Sequence, residues 1–109
     1  MTTRTTFDGH LDEAIYTMLD TQAMIDEDNA PMIEGCIDQL NDLDDKMICE
    51  IEDDDYDGMM IYTIVHNAIC TVFGIAKGYA KGKIDVRTAE NVCITQRFIL
   101  VTAQRMLRK

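Results

Sequence analysis

Residues 58–80 read GMMIYTIVHNAICTVFGIAKGYA, the only segment of the chain that is apolar around most of a helical circumference. Its apolar positions recur every three to four residues, which predicts an α-helix. A broad arc of Ile, Val and Ala predicts the face that organises the core. A narrow strip of small residues, from Thr63 through Gly74 to Gly78, would let another helix approach closely. Because His66 and Asn67 interrupt about 19 residues of moderate hydropathy, we interpret the segment as a core helix and not as a membrane span.

Amphipathic segments flank this central helix on both sides. The 3.6-residue spacing of their apolar residues predicts helices over 9–28, 31–53, 58–81 and 85–108, with Asp8 as the first cap and residues 1–7 as a frayed lead-in. One Pro and six Gly in 109 residues leave too few turn signals for an all-β chain. The sequence therefore predicts a single all-α domain over 1–109, a compact bundle of four helices with a central apolar third helix.

The charge of the chain changes sign across the central helix. The net charge is −10, from 20 acidic and 10 basic residues. Residues 1–57 hold 18 of the acids and two bases, whereas residues 58–109 hold eight bases and two acids. A chain this acidic is not expected to bind nucleic acid directly through phosphate contacts. The two halves instead predict a molecule with one negative and one positive side.

The acidic half places its carboxylates on one face of the second predicted helix and in the run that follows. At 1.5 Å per residue, positions 34–52 would form a stripe about 27 Å long, opposite the apolar face. Rows of carboxylates can imitate the phosphates of a duplex to a basic groove, and this excess exceeds what solubility requires. The predicted partner-binding residues are Glu34, Asp38, Asp42, Asp45, Glu52, Asp53, Asp54 and Asp55.

This pattern favours a non-enzymatic, cytoplasmic interaction protein. Its predicted partner is a nucleic-acid-handling protein with a basic surface, and its predicted role is that of an inhibitor or nucleic-acid mimic. Small phage-encoded inhibitors of host defence are similar in size, charge and composition, and the comparison goes no further than that. No cofactor and no membrane partner are predicted.

The chain is also predicted to form a homo-oligomer through the fourth predicted helix, and a homo-oligomeric helical module is the first alternative function. This helix carries a second apolar stripe away from its main apolar face, and a helix that is apolar on two sides is either more deeply buried than its ends suggest or has a second partner. The predicted self-association residues are Ile94, Phe98, Val101, Arg97 and Arg105. Such a module could bind an anionic small molecule, for example a nucleotide, near Lys77, Lys81 and Arg87.

A second alternative is a protein that binds a divalent cation through the acidic cluster at 50–57. Residues 53–58 read DDDYDG and match the opening of an EF-hand-type calcium loop, with Asp53, Asp55 and Asp57 as weak candidate ligands. However, Ile61 and Ile64 occupy the ninth and twelfth loop positions, where ligands belong. We therefore interpret the run as an acidic linker and helix cap, and we predict no metal site.

Nothing in the chain forms a complete catalytic motif. Four cysteines at 36, 49, 70 and 93 make no C-x-x-C pair, which predicts free buried thiols in a reducing compartment. His66 and Cys70 have the i, i+4 spacing of a nucleophile pair, but no third group can be named, so we interpret His66 as a structural residue. Asp44 interrupts an apolar helix face, and its predicted partner is Arg97.

Overall fold

Four helices account for nearly all of the fold. The computed structural model describes residues 2–109, with side chains from Arg4 onward. Within that range the chain forms no strand, and its elements are α1 (Thr2–Asp26), α2 (Ala30–Cys49), α3 (Tyr56–Ala80) and α4 (Val86–Leu107). The prediction of an all-α bundle of four helices is confirmed.

Short connections make consecutive helices antiparallel, as in an up-down-up-down bundle. Helix α1 packs against α2 and α4, and α3 packs against the same two helices. Helices α2 and α4 occupy opposite corners and do not touch. The acidic helices α1 and α2 are thus neighbours on one side of the bundle, with α3 and α4 on the other.

Helix α3 contributes the apolar arc that its sequence predicts. Ile61, Val65, Ile69 and Val72 are all buried, and the helix also reaches α1 across the centre of the bundle. By length and composition α3 could cross a membrane, with a mean hydropathy of 1.6. A core helix of a soluble protein passes the same test, and 39% of its most apolar stretch is buried inside this bundle.

The N-terminal segment differs from its prediction. Helix α1 runs back to Thr2 instead of starting near residue 9, and Phe7 is fully buried. Asp8 lies inside the helix, where its carboxylate accepts a hydrogen bond from Arg108 Nε at 2.9 Å, so it does not cap α1. The anchor is the buried Phe7 ring, one turn before Leu11 on the same face. Met1 lies outside the described residues.

Helices α1 and α3 each end in a hydrogen-bonded turn, and the two turns are of the same type. In each, a residue with positive φ follows the helix, Asp28 at 54° and Gly82 at 73°. Backbone bonds from Asn29 to Met24 and from Lys83 to Gly78 close the two turns, as in a Schellman motif. Tyr79 also donates a hydrogen bond to Asp28 at 2.7 Å, which joins the two turns.

The strip of small residues on α3 does not receive another helix within the chain. A side chain at Gly78 would collide with Ile84, which folds back over the end of α3 from the following turn. At Gly74 a methyl group would meet nothing within 4 Å. The close approach at this strip is therefore made by a local turn, and the rest of the strip faces outward.

Helix α2 ends at Cys49, four residues before the predicted end at 53. Carboxylates are unfavourable at the negative end of a helix and favourable at the positive end. The early end keeps Glu52, Asp53 and Asp54 out of the last turn of α2 and places them ahead of α3. Asp55 then caps α3 by accepting a hydrogen bond from the Gly58 N–H at 3.0 Å.

Candidate functional site

The outer face of α2 carries the predicted row of carboxylates. Glu34, Asp38, Asp42 and Asp45 are all exposed. At 1.5 Å per residue the row from 34 to 45 is about 16 Å long. Glu52 is exposed but lies beyond the end of the helix, so the straight stripe expected over 34–52 is interrupted.

Helix α1 places further acids beside this row. Asp20 lines a groove between α1 and α2 of about 500 Å³, opposite Gly35 and Gln39 of α2. Glu13 lies two turns before Asp20 and is also exposed on that face. Packed helices lie about 8–10 Å apart, so the two rows of carboxylates run side by side in opposite directions. Met24 and Met32 line the groove between them.

Most of the α2 row lacks a neutralising partner among the described side chains. Asp42 pairs with Lys46 one turn away, with 3.1 Å between Oδ2 and Nζ. Both side chains are more than half exposed, and such surface pairs contribute little. No described cation lies within ion-pair distance of Glu34, Asp38 or Asp45, so this face presents strong negative charge to solvent.

Asp55 has a structural role inside the acidic run. Arg4 Nε donates to its Oδ2 at 2.8 Å, and Arg4 Nη2 donates to Oδ1. The hydrogen bond from Arg4, supported by that from the Gly58 N–H, lowers the pKa of Asp55 to about 2. Both of its carboxylate oxygens therefore accept hydrogen bonds from within the chain. No group of three or more His, Cys, Asp or Glu side chains in the described part of the chain could hold a metal ion, Asp53 and Asp57 included.

The second apolar stripe of α4 lies at the surface. Phe98 is 61% exposed, and Ile94 and Val101 are half-buried. The guanidinium of Arg97 lies 5.8 Å from the centre of the Phe98 ring, and Arg105 is exposed one turn beyond Val101. Phe98 also borders a groove of about 350 Å³ between α3 and α4.

A cavity of about 410 Å³ lies between the start of α2 and the end of α3. Its walls include Ile33, Ile37 and Ala76, and two lysines and Glu34 lie at its edge. Lys77 and Lys81 stand one turn apart there, whereas Arg87 is not part of the lining. The structure thus brings together two of the three bases that were expected to hold an anion.

Asp44 is buried, with 8% of its surface exposed, but its partner is not Arg97. The hydroxyl of Tyr62 donates to Oδ1 at 2.8 Å, and Nδ1 of His66 lies 2.8 Å from Oδ2. Arg97 is on α4, at the opposite corner of the bundle from α2, and the partners of this carboxylate are Tyr62 and His66 instead. Burial and the hydrogen bond to Asp44 raise the pKa of Tyr62, so the phenol remains a proton donor.

The contact chain continues from His66 to a thiol. Nε2 of His66 lies 3.6 Å from Sγ of Cys70. Asp44 is therefore the third group that the sequence could not supply, because only the register of α2 against α3 brings it to His66. Cys70 and Cys49 are exposed, contrary to the prediction of four buried thiols. Cys93 is buried as predicted, and burial raises its pKa to about 11.

Sequence reasoning also missed a polar contact between α1 and α4. The amide of Gln104 is buried and donates to Asp8 at 2.8 Å and to Asp12 at 3.3 Å. In α1, the Oε1 atom of Gln22 is buried with no hydrogen-bond partner among the described residues. A Gln on an otherwise apolar helix face was the available signal for both.

Comparisons with other proteins give no relative. No protein-family model, no curated protein and no solved structure matches this chain. The function is therefore inferred from the chain's own charge, burial and side-chain contacts.

Proposed function

We propose that this chain is a non-enzymatic interaction protein whose α1–α2 side occupies a basic, nucleic-acid-binding groove of a partner protein. The observation that carries the proposal is the packing of the two acidic helices side by side. Their exposed carboxylates share one side of the bundle, away from most of the basic residues on α3 and α4. Binding would block the groove, and the chain would act as an inhibitor of the partner.

The dimensions of the acidic side agree with this role. A DNA strand places one phosphate about every 3.4 Å along the helix axis. Four carboxylates of α2 follow one another over about 16 Å. This row is negatively charged like a DNA strand, but its charges are more widely spaced than the phosphates. Glu13 and Asp20 of α1 begin a second, antiparallel row, as a second strand would. Such rows would steer the chain toward a groove lined by Lys and Arg, with a strong dependence on salt.

The test is capture of partners from a lysate of the organism that encodes the chain. The full chain is immobilised at low salt, and bound proteins are eluted with rising salt and identified by mass spectrometry. We expect nucleic-acid-binding proteins, released by about 1 M salt, where the Debye length is about 3 Å.

Two charge variants make the capture decisive. One replaces Asp38, Asp42 and Asp45 with Lys. The control replaces Asp57, Glu90, Thr63 and Thr71 of α3 and α4 with Lys, which changes the net charge by the same amount away from the α1–α2 side. The first variant should lose the captured proteins and the control should retain them. Equal capture by the wild-type chain and the first variant would overturn the proposal.

The cavity at Lys77 and Lys81 supports a second candidate, binding of an anionic small molecule with an apolar part. Two ammonium groups at the edge of an apolar cavity would pair with phosphate or carboxylate while the walls cover the apolar part. ATP is a suitable probe in a thermal-shift titration. ATP should stabilise the wild-type chain and not a Lys77→Gln, Lys81→Gln variant. Equal shifts in both proteins, or none in the wild type, would exclude this site.

A further inference from the structure

Four side chains from α2 and α3 form a continuous polar chain that ends at an exposed thiol. Tyr62 and His66 both contact the carboxylate of Asp44, and His66 contacts Cys70 through its other ring nitrogen. The interaction proposed for the acidic side uses none of these groups. The arrangement has the order of a nucleophile, a base and an orienting carboxylate.

The contacts of Asp44 select the tautomer of His66. An ionised carboxylate only accepts hydrogen bonds, so Nδ1 of His66 must carry a proton and donate to Oδ2. In the neutral ring, Nε2 then holds the free lone pair, and this atom faces Sγ of Cys70 at 3.6 Å. Tyr62 donates to the other carboxylate oxygen and so helps to hold Asp44 in place. The imidazole is therefore oriented to receive a proton from the thiol.

The other three cysteines do not share this environment. Cys93 is buried, and Cys36 is half-buried with its pKa raised by desolvation. Cys49 is exposed, as Cys70 is, but no described side chain makes a hydrogen bond to it. One exposed thiol thus has a base and the other does not, which makes Cys49 a reference inside the same molecule. On the α2 side of this polar chain, Asp44 contacts His66 directly, and both Asp44 and Asp45 lie close enough to Tyr62 to raise the pKa of its hydroxyl.

We propose that Cys70 is a reactive thiol that undergoes thiol–disulfide exchange with a low-molecular-weight disulfide of the glutathione type. Cys70 lines none of the cavities described above, so the reagent comes from solvent and needs no preformed pocket. His66 is the base, and Asp44 is a positioning residue. Exchange would place a bulky, charged adduct at the α2–α3 edge of the bundle.

The exchange conserves atoms and electrons. The thiol proton of Cys70 passes to Nε2 of His66, and Sγ attacks one sulfur of the disulfide. A new sulfur–sulfur bond to Cys70 forms while the old one breaks. The other half leaves as a thiolate and takes the proton from the imidazolium. Cys70 is oxidised to a mixed disulfide, and the departing half is reduced to a free thiol.

The test follows each cysteine separately in the full chain treated with oxidised glutathione. Samples are quenched with acid at increasing times, and peptide mapping by mass spectrometry gives a rate for every thiol. We expect Cys70 to react at least about tenfold faster than Cys49, as expected for a thiol with a positioned base. Similar rates at Cys70 and Cys49 in the wild-type chain would overturn the proposal without any variant.

Two variants separate chemistry from structure. His66→Gln should lower the rate at Cys70 toward that of Cys49, and the rate at Cys49 should not change. Asp44→Asn replaces one of the two acceptor oxygens with an NH2 donor and removes the negative charge beside His66, so it should lower the Cys70 rate and shift its pH profile while the Cys49 profile stays in place. Buried Cys93 must remain unmodified, which shows that each variant is folded. An unchanged Cys70 rate in folded His66→Gln would contradict the assignment.

Discussion

Oδ2 of Asp44 lies 2.8 Å from Nδ1 of His66, which joins a buried carboxylate of α2 to the exposed edge of α3. Helices α2 and α3 make a smaller contact than the other neighbouring pairs in the bundle. A buried polar pair allows fewer registers than apolar packing does, because sliding would leave the carboxylate without partners. This contact therefore fixes where the acidic face of α2 stands relative to α3.

The hydroxyl of Tyr62 should contribute measurably to stability. Tyr62→Phe leaves a buried Asp44 carboxylate with one hydrogen bond fewer, which should lower the free energy of unfolding by about 1–3 kcal/mol. Urea denaturation at neutral pH measures the change. Tyr56→Phe is the matched control, because Tyr56 is 77% exposed, and it should stay within about 0.5 kcal/mol of wild type.

Gln104 gives a sharper test of polar matching between α1 and α4. Gln104→Glu keeps the size of the side chain but replaces a donor to Asp8 and Asp12 with a third carboxylate. Stability at pH 7 should fall by about 2–3 kcal/mol, because the new carboxylate is buried without a donor and lies beside the carboxylates of Asp8 and Asp12. The deficit should shrink as the pH falls and the new carboxyl gains a proton. An Asn91→Asp control at an exposed site of α4 should show neither effect.

Alanine substitutions at Gly82, in the turn after α3, and at Gly74, inside α3, should change stability in opposite directions. Gly82 has a φ of 73°, so Gly82→Ala should destabilise the fold by about 1 kcal/mol. Gly74 lies inside α3 with open space around it, so Gly74→Ala should raise stability by about 0.5–1 kcal/mol. Thermal denaturation of both variants decides the matter. Equal effects of the two substitutions would mean that the turn is not as described.

The Arg4–Asp55 pair should shape acid unfolding. The folded pKa of Asp55 is depressed to about 2, mainly by the hydrogen bond from Arg4. A carboxyl whose pKa is lower in the folded chain than in the unfolded chain stabilises the fold at pH values above its unfolded pKa, here about 3.8. That stabilisation is lost as the pH falls through its folded pKa. Arg4→Gln should therefore lower the melting temperature at pH 6, and its gap to wild type should close between about pH 4 and pH 2. Arg97→Gln, which removes no described carboxylate contact, should show no such closure.

The 3.6-residue spacing of apolar residues was sufficient to predict the four helices, because each helix buries one face. It also identified Asp44 as anomalous, since a carboxylate among apolar positions needs a partner. The identity of that partner depends on which helices are neighbours, and four helices can be arranged in several ways. Arg97 was a wrong prediction because α2 and α4 lie on opposite corners of the bundle.

The features that the sequence did not predict depend on contacts between residues that are far apart in the chain. The start of α1 depends on the burial of Phe7 and on Asp8 meeting Arg108, 100 residues away. No Gly or Pro marks the end of α2, and the acidic residues at 52–57 are compatible with either a helix or a linker. The exposure of Cys70 follows from its position at the edge of α3 facing away from the core, which a nearly all-apolar segment does not reveal.

The most direct measurement of the central claim is a competition for a partner captured on the acidic side. The partner is bound to labelled duplex DNA, and the wild-type chain or its Asp38→Lys, Asp42→Lys, Asp45→Lys variant is titrated in. The wild-type chain should displace the DNA, and the variant should need at least about tenfold more protein, a difference of about 1.4 kcal/mol. Displacement by both proteins at the same concentration, or a partner that holds DNA and this chain at once, would contradict the proposed occupation of the groove.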